Sequence, residues 1–461
     1  INDMFPGTIE FDRSKINVTT IDIEVQSDDG FPEPGEALKT VTAICLKNNI
    51  DNTYYVWGLG DYNVERSYMK TNRVVYKKCV DEKELLIDFI NHWATPSHTP
   101  DIITGWNTEF FDLPYICNRI NSQLGEDAMK RLSPWGVVQS RMVNSGFGKK
   151  TEMFEIMGVN NLDYLQLYKK FTYSNQESYR LDHIAFVELG QRKDENPYET
   201  FRDWYTKDYQ SFLDYNIMDV ELVDRLDEKM KLIDLILTMT YEAKVNVSDS
   251  FTSVKYWDVL IYNHLLKSKI IIPQKLGHKS KGEKYVGAYV KEPQVGQHKW
   301  VMSFDLNSLY PHLIMQYNIS PEMLLPQTMP YNDNTIDEML SQQIDLSMLP
   351  DAKVARTPNG ALFRTKKQGF LPEMMQEMYN DRTIYKKKML TAKQQFEDTK
   401  DPKYLNDVSR FNNIQMARKI SLNSAYGAIG NEWFRYYDLR IAEGITTSGQ
   451  LSIRWIEQAL N

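Results

Sequence analysis

Val18-Thr-Thr-Ile-Asp-Ile-Glu-Val25 alternates apolar and acidic side chains in a segment rich in β-branched residues. In a strand, residues two apart share a face, so Ile21, Ile23 and Val25 point one way and Asp22 and Glu24 the other. Two neighbouring carboxylates repel each other and resist burial. A divalent cation between them removes the conflict, and an exposed strand face is the ordinary alternative. Residues 41–47 and 54–59 read as further strands, and Glu82–Trp93 reads as a helix. Helices dominate from 112 to 242. The expected class is α/β multidomain.

The next acidic element is Gly105-Trp-Asn-Thr-Glu-Phe-Phe-Asp-Leu-Pro-Tyr-Ile116. Asp112 stands where a helix begins, and taken alone it reads as an N-cap. The third is Tyr215-Asn-Ile-Met-Asp219, whose first and last residues share a helical face while Ile217 and Val220 can face a core. Together, Asp22, Glu24, Asp112 and Asp219 form the ligand set that two hard cations need for phosphodiester hydrolysis. Tyr215, one turn before Asp219, is placed to orient a nucleophilic water.

A polar stretch at 274–283 reads as a linker. Beyond it, 299–306 reads as a strand ending near Asp305, within Ser303-Phe-Asp-Leu-Asn-Ser-Leu-Tyr-Pro311, and a short helical run follows Pro311. A carboxylate at a strand end can hold Mg²⁺ against a triphosphate. Residues 372–396 and 407–425 read as two long helices forming a hairpin. Arg382 and Lys386 lie one turn apart on the first. The second ends in Arg418-Lys-Ile-Ser-Leu-Asn-Ser-Ala-Tyr-Gly427, where Lys419, Asn423 and Tyr426 make one polar stripe. A solvated face is the plain alternative for these residues. Between linker and strand stands Tyr285-Val-Gly-Ala-Tyr-Val290, read as a strand whose Gly287 permits close backbone approach.

The net charge of −8 speaks against a uniformly basic nucleic-acid coat, but local basic patches at 386–388, 366–367 and 275–284 leave phosphate binding open. Cys45, Cys79 and Cys117 contain no CxxC pair, which indicates neither a zinc site nor a disulfide framework and fits a reducing, cytoplasmic compartment. No apolar run of about 18 residues suggests a membrane span.

In this order the motifs resemble family B DNA polymerases, and within them the replicative enzymes of T4-type bacteriophages. Further strings that fit are Asp163-Tyr-Leu-Gln-Leu-Tyr-Lys-Lys170 and Trp433-Phe-Arg-Tyr-Tyr-Asp-Leu-Arg440. The acidic set resembles the DEDD proofreading exonucleases with a motif tyrosine. This implies Asp22, Glu24, Asp112 and Asp219 as metal ligands, with Tyr215 catalytic beside them. The Asp305 string resembles DxxSLYPS, with His312 in place of the usual Ser. Asp305 is then a polymerase metal ligand, Leu306, Asn307, Ser308 and Leu309 meet the triphosphate, and Tyr310 lies under the sugar and excludes a 2′-OH. The Lys419 string matches KxxxNSxYG. It implies that Lys419, Arg382 and Lys386 clamp the triphosphate, that Asn423 supports the nucleotide, and that Tyr426 and Gly427 face the DNA. Tyr285 and Gly287 resemble the YxGG/A motif that contacts the template.

The resemblance also implies an architecture. It places a remnant of an N-terminal domain at 1–16, an RNase H-like 3′→5′ exonuclease domain at 17–231 and a helical connector with linker at 232–284. An α+β palm follows at 285–368, then a helical fingers hairpin at 369–431 and the start of a second palm segment at 432–461. Two Mg²⁺ or Mn²⁺ ions per site are expected, with primer–template DNA, single-stranded 3′ ends and dNTPs as partners. A sliding clamp and other replisome proteins would act through regions outside the chain. The expected place is the cytoplasm, that of a host cell for a viral protein. The family's later DTD motif does not occur between Tyr426 and Asn461. The expectation is a chain competent in excision but not in primer extension alone, with a parent protein competent in both. A stand-alone exonuclease with a decayed polymerase half and a non-catalytic DNA scaffold are the competing readings.

Overall fold

The computed structural model describes residues 11–460, apart from 28–29, 31, 68–72, 145–149, 173, 194–195, 276–284, 346 and 348–352. Among them two compact units divide between Asp234 and Leu235.

The first unit is built on a six-stranded sheet of order β4-β3-β2-β1-β5-β8. Its strands are β1 (Val18–Val25), β2 (Val41–Asn48), β3 (Thr53–Gly58), β4 (Arg73–Lys78), β5 (Ile102–Thr104) and β8 (Asn160–Asn161). β1 pairs antiparallel with β2 and parallel with β5, so it is central. The helices are α1 (Glu82–Trp93), α2 (Asp112–Leu124), α3 (Glu126–Lys130), α4 (Tyr164–Phe171), α5 (Leu181–Leu189), α6 (Phe201–Lys207) and α7 (Tyr209–Met230). Ile21, Ile23 and Val25 join the core made with α1 and α2. The opposite face, with Ala43, Cys45, Tyr54 and Val56, packs on Phe212, Leu213, Ile217 and Val220 of α7. The alternation in β1 therefore aims Asp22 and Glu24 at α7.

A hairpin of β6 (Val138–Asn144) and β7 (Lys150–Ile156) interrupts the stretch expected to be helical. Neither strand has more than two apolar residues in a row, so neither carries a long apolar signal.

α2 is fastened by a buried ion pair. The Arg119 guanidinium donates from Nε and Nη2 to the two Glu82 carboxylate oxygens at 2.7 and 2.6 Å. Its Nη1 donates to the carbonyls of Ala37 and Leu38, both at 3.0 Å, and Glu82 also accepts from Val41 N at 2.7 Å. One pair thus ties α1, α2 and the start of β2 together.

The second unit contains the greater part of α8 (Leu232–Ala243), then α9 (Ser253–Lys267), α10 (Leu309–Gln316), α11 (Thr335–Leu340), α12 (Phe370–Thr399), α13 (Lys403–Ile429) and α14 (Leu439–Leu460). A three-stranded antiparallel sheet, ordered β10 (Val354–Arg356), β11 (Ala361–Arg364) and β9 (Leu324–Thr328), lies among them. α12 and α13 run side by side as the expected hairpin. Lys400 closes α12 in the left-handed region (φ 56°), its N–H donating to Phe396 O at 2.7 Å, and Pro402 opens α13. Leu371, Pro372, Met374, Met375 and Met378 are buried at the base of α12, and beyond them the helix is mostly exposed.

Two expectations fail here. Residues 299–306 and 285–290 are irregular rather than extended in a sheet. A strand needs a partner strand to pair with, and among the described residues neither segment has one; Trp300, Val301 and Met302 stand exposed. The linker expected at 274–283 falls almost wholly outside the described residues. Among the described residues no helix is long and apolar enough to cross a membrane.

Arg119→Met should destabilise the first unit by roughly 3–5 kcal/mol, because Glu82 would keep a buried, unpaired charge. The double variant with Glu82→Gln should lose much less. Urea unfolding measures both, and a loss under about 1 kcal/mol in the single variant would show that water screens the pair.

Candidate functional sites

In the first unit, carboxylate oxygens of Asp22, Glu24 and Asp219 all lie within 4.8 Å of one another. β1 supplies the first two and α7 the third. Burial raises the Asp22 carboxyl well above its usual range, and Asp219, Asp112 and Glu24 add to the rise against Lys193. Burial and Asp219 raise Glu24 in the same way. Burial also raises Asp219, with Lys193 opposing.

Asp112 belongs to this neighbourhood but faces it differently. Its Oδ1 accepts from Ile23 N, between the two β1 acids, at 3.2 Å. Burial pushes its carboxyl up to about 8 against that N–H. It is the first residue of α2 and not its cap; Phe111 holds that place, with no side-chain capping bond. The Asp112 carboxylate is thus engaged by β1.

The loop leading to Asp112 is shaped by Asp163. Its Oδ1 accepts from Asn107 N at 3.0 Å and Leu165 N at 2.9 Å, and its Oδ2 from Glu109 N at 3.1 Å. Burial raises this carboxyl to about 6, against those backbone donors. Gly105 lets the loop pass β1, since a Cβ there would lie 2.4 Å from Ile21 O.

Two polar partners were not anticipated. Asn216 Nδ2 donates to Asp22 Oδ2 at 2.6 Å. It lies inside the Tyr215–Asp219 string, but a side chain next to a motif residue carries no distinguishing spacing. The Lys193 ammonium is ion-paired with Asp219 and stands 3.2 Å from the Tyr215 hydroxyl. Burial acts against its charge, but Asp219 and the other acidic groups raise its pKa overall. Gly190 (φ 71°) ends α5, and Lys193 N then donates to Asp182 Oδ1 at 2.8 Å, which turns the lysine inward. Tyr215 and Asp219 thus project together, as their spacing indicated.

Among the described residues, Asp22, Glu24, Asp112 and Asp219 set four carboxyl groups against the Lys193 ammonium. Asp219 Oδ1 is buried with no hydrogen-bond partner. Hard oxygen ligands, a shortage of positive charge and an unsatisfied carboxylate oxygen all fit a divalent cation.

In the second unit, α10 follows Ser308, which holds a left-handed backbone (φ 54°). Arg382 Nη1 reaches from α12 to Ser308 Oγ at 3.3 Å and Asn307 Oδ1 at 3.5 Å. The Tyr310 ring lies 4.8 Å from that of Tyr426, whose hydroxyl donates to the Tyr285 hydroxyl at 3.1 Å. Gly449 makes room for Tyr310, as a Cβ there would stand 3.1 Å from its Cε1. Gln450 Nε2 holds Gly287 O at 2.7 Å. The structure therefore brings Tyr285, Tyr310 and Tyr426 together and sets Arg382 against the side chains of Asn307 and Ser308. Leu306 and Asp305 are exposed in irregular chain, and Leu309 begins α10. Lys386, Asn423 and Gly427 are exposed on the hairpin, and Lys419 is half-buried.

Residues 3–184 match the family described as DNA polymerase family B, exonuclease domain, and residues 252–461 match DNA polymerase family B. The whole chain is 35% identical to the DNA-directed DNA polymerase of Escherichia phage RB69, covering 56% of that protein. It is 34% identical to that of Enterobacteria phage T4, covering 57%. Over 82% of its length it is 26% identical to the DNA polymerase delta catalytic subunit of Caenorhabditis elegans, covering 33% of that chain. The chain spans about half the length of the phage relatives. Its fold class follows the same division, an α/β exonuclease domain and then a polymerase palm region. With both units matched by domains of one lineage, the chain belongs to DNA polymerase family B.

Proposed function

We propose that the first unit is a 3′→5′ proofreading exonuclease and that the second forms the nucleotide side of a DNA polymerase site. The observation that carries the first reading is the convergence of Asp22, Glu24 and Asp219 within 4.8 Å, with one buried oxygen of Asp219 unpartnered. Asp22, Glu24, Asp112 and Asp219 would hold Mg²⁺ or Mn²⁺, two ions per site. When bound, such a pair supplies a metal-activated water and stabilises the leaving oxygen of a phosphodiester.

The chain's own groups do the rest. Ile23 N–H fixes the Asp112 carboxylate, and Asn216 fixes that of Asp22. Burial, ahead of the nearby Asp219 charge, keeps the Tyr215 hydroxyl protonated well above neutral pH, so it can donate to and orient an attacking water. Lys193, held between Tyr215 and Asp219, offers a fixed positive charge to a phosphate at the site. The substrate is a single-stranded DNA 3′ end.

In the second unit, Arg382, Lys386 and Lys419 would grip the triphosphate of a dNTP, with Asn423 supporting them and the 306–309 backbone alongside. Asp305 would hold metal, and Tyr310 would bar a 2′-OH. Tyr285, Gly287, Tyr426 and Gly427 would meet primer–template DNA. The matched family and the contact of Arg382 with Ser308 support this assignment. In domain terms, 17–231 would be the exonuclease, 285–368 and 432–461 palm, and 369–431 fingers. The phage relatives favour the cytoplasm of a host cell as the setting.

With Mg²⁺ the chain should shorten 5′-labelled single-stranded DNA from its 3′ end. Asp22→Ala and Asp219→Ala should each slow excision about a thousandfold, or about 4 kcal/mol of transition-state stabilisation. Binding of the DNA without shortening in any divalent cation would favour the scaffold reading and overturn this one.

Lys193→Met should lower the single-turnover excision rate by roughly ten- to a hundredfold, while Lys193→Arg keeps most of it. An unchanged rate in Lys193→Met would remove the lysine from the reaction.

A further inference from the structure

A three-residue ionic node sits beside the cations assigned to the triphosphate. Arg418 of α13 is ion-paired through Nη2 with Glu242 of α8 and with Asp381 of α12, the latter at 3.0 Å. Asp381 immediately precedes Arg382, and Arg418 immediately precedes Lys419. Consecutive helical residues differ by about 1.5 Å in height and about 100° in direction. A contact between Asp381 and Arg418 therefore fixes both the relative height and the relative rotation of Arg382 and Lys419.

The two arms of the node differ. The Arg418 and Glu242 side chains are 15% and 12% exposed, whereas that of Asp381 is 44% exposed. α13 is held further at this level by α9. The Tyr256 hydroxyl shares a 2.7 Å hydrogen bond with Ser421 Oγ, and Trp257 Nε1 donates to Ser421 O at 3.2 Å and Ser424 Oγ at 3.1 Å. The arm to Glu242 is thus the fixed side, and the arm to Asp381 is how α12 is set against it. Arg382 Nε is buried without a hydrogen-bond partner, so its guanidinium keeps donor capacity for an anion.

We infer that Arg418 is a positioning residue that, anchored by Glu242, ties Asp381 so that Arg382 and Lys419 address one triphosphate. This rests on the nucleotide-site reading of the second unit. Neither Arg418 nor Asp381 touches the nucleotide in this account; they act through their neighbours.

The test is equilibrium binding of dTTP and of dTMP, each with Mg²⁺, to the full chain. Asp381→Asn and Arg418→Gln should each weaken dTTP binding by roughly tenfold, their effects should not add, and Arg418→Lys should retain most of the affinity. Binding of dTMP should change little, since the loss lies in the grip on the outer phosphates. A general loss of structure would weaken both ligands and would not be rescued by lysine. Arg382→Ala and Lys419→Ala serve as references. If those two weaken dTTP binding while Asp381→Asn and Arg418→Gln do not, the positioning role is overturned and the nucleotide site stands. If the wild-type chain does not bind dTTP, both are overturned.

Discussion

Repulsion among clustered carboxylates, most of them buried, is the constraint around which the first unit is organised. Asp22, Glu24 and Asp219 are held within 4.8 Å of one another, and Asp112 is pinned beside them by the Ile23 N–H. Charges of one sign so close in a poorly hydrated place oppose folding, and each of these carboxyls has its pKa raised. What holds them there is apolar packing on both faces of the sheet and the Glu82–Arg119 pair that fastens α2. Lys193 offsets one of these charges.

The second unit gathers positive charge on a long helical hairpin. Its base is apolar and buried, while most of its lysines stand along the exposed length. Arg382 leans on Ser308, and Arg418 joins α13 to α12 and α8. Along this exposed stretch ionic contacts do the work that packing does elsewhere.

Much of this was legible in the sequence. The alternation in β1 gave both the sheet and the direction of Asp22 and Glu24, because period two is a strong signal when one face is fully apolar. The i,i+4 relation of Tyr215 and Asp219 and the presence of both hairpin helices were equally readable, although the second helix begins four residues earlier and ends four later than expected. Asp112 was harder, since an acid at a helix start has a common local use, and only the distant Ile23 N–H reveals its actual contact. Lys193 was not legible. It sits in an irregular loop and is turned inward by Gly190 and by Asp182, through contacts that no periodicity encodes. Asp163 carries no spacing signal of its own, and its grip on the backbone of Asn107 and Glu109 is a tertiary fact. Residues 299–306 mark the opposite failure: β propensity was present, but pairing depends on a neighbour, and the described residues provide none.

The most direct test of the account is calorimetric titration of the chain with Mn²⁺ in the absence of DNA. The account predicts saturable binding that Asp22→Asn and Asp219→Asn each largely abolish, because both remove an oxygen charge from the same small cluster. Isotherms unchanged in the two variants would contradict it, since the acidic side chains would then be gathered for something other than a cation.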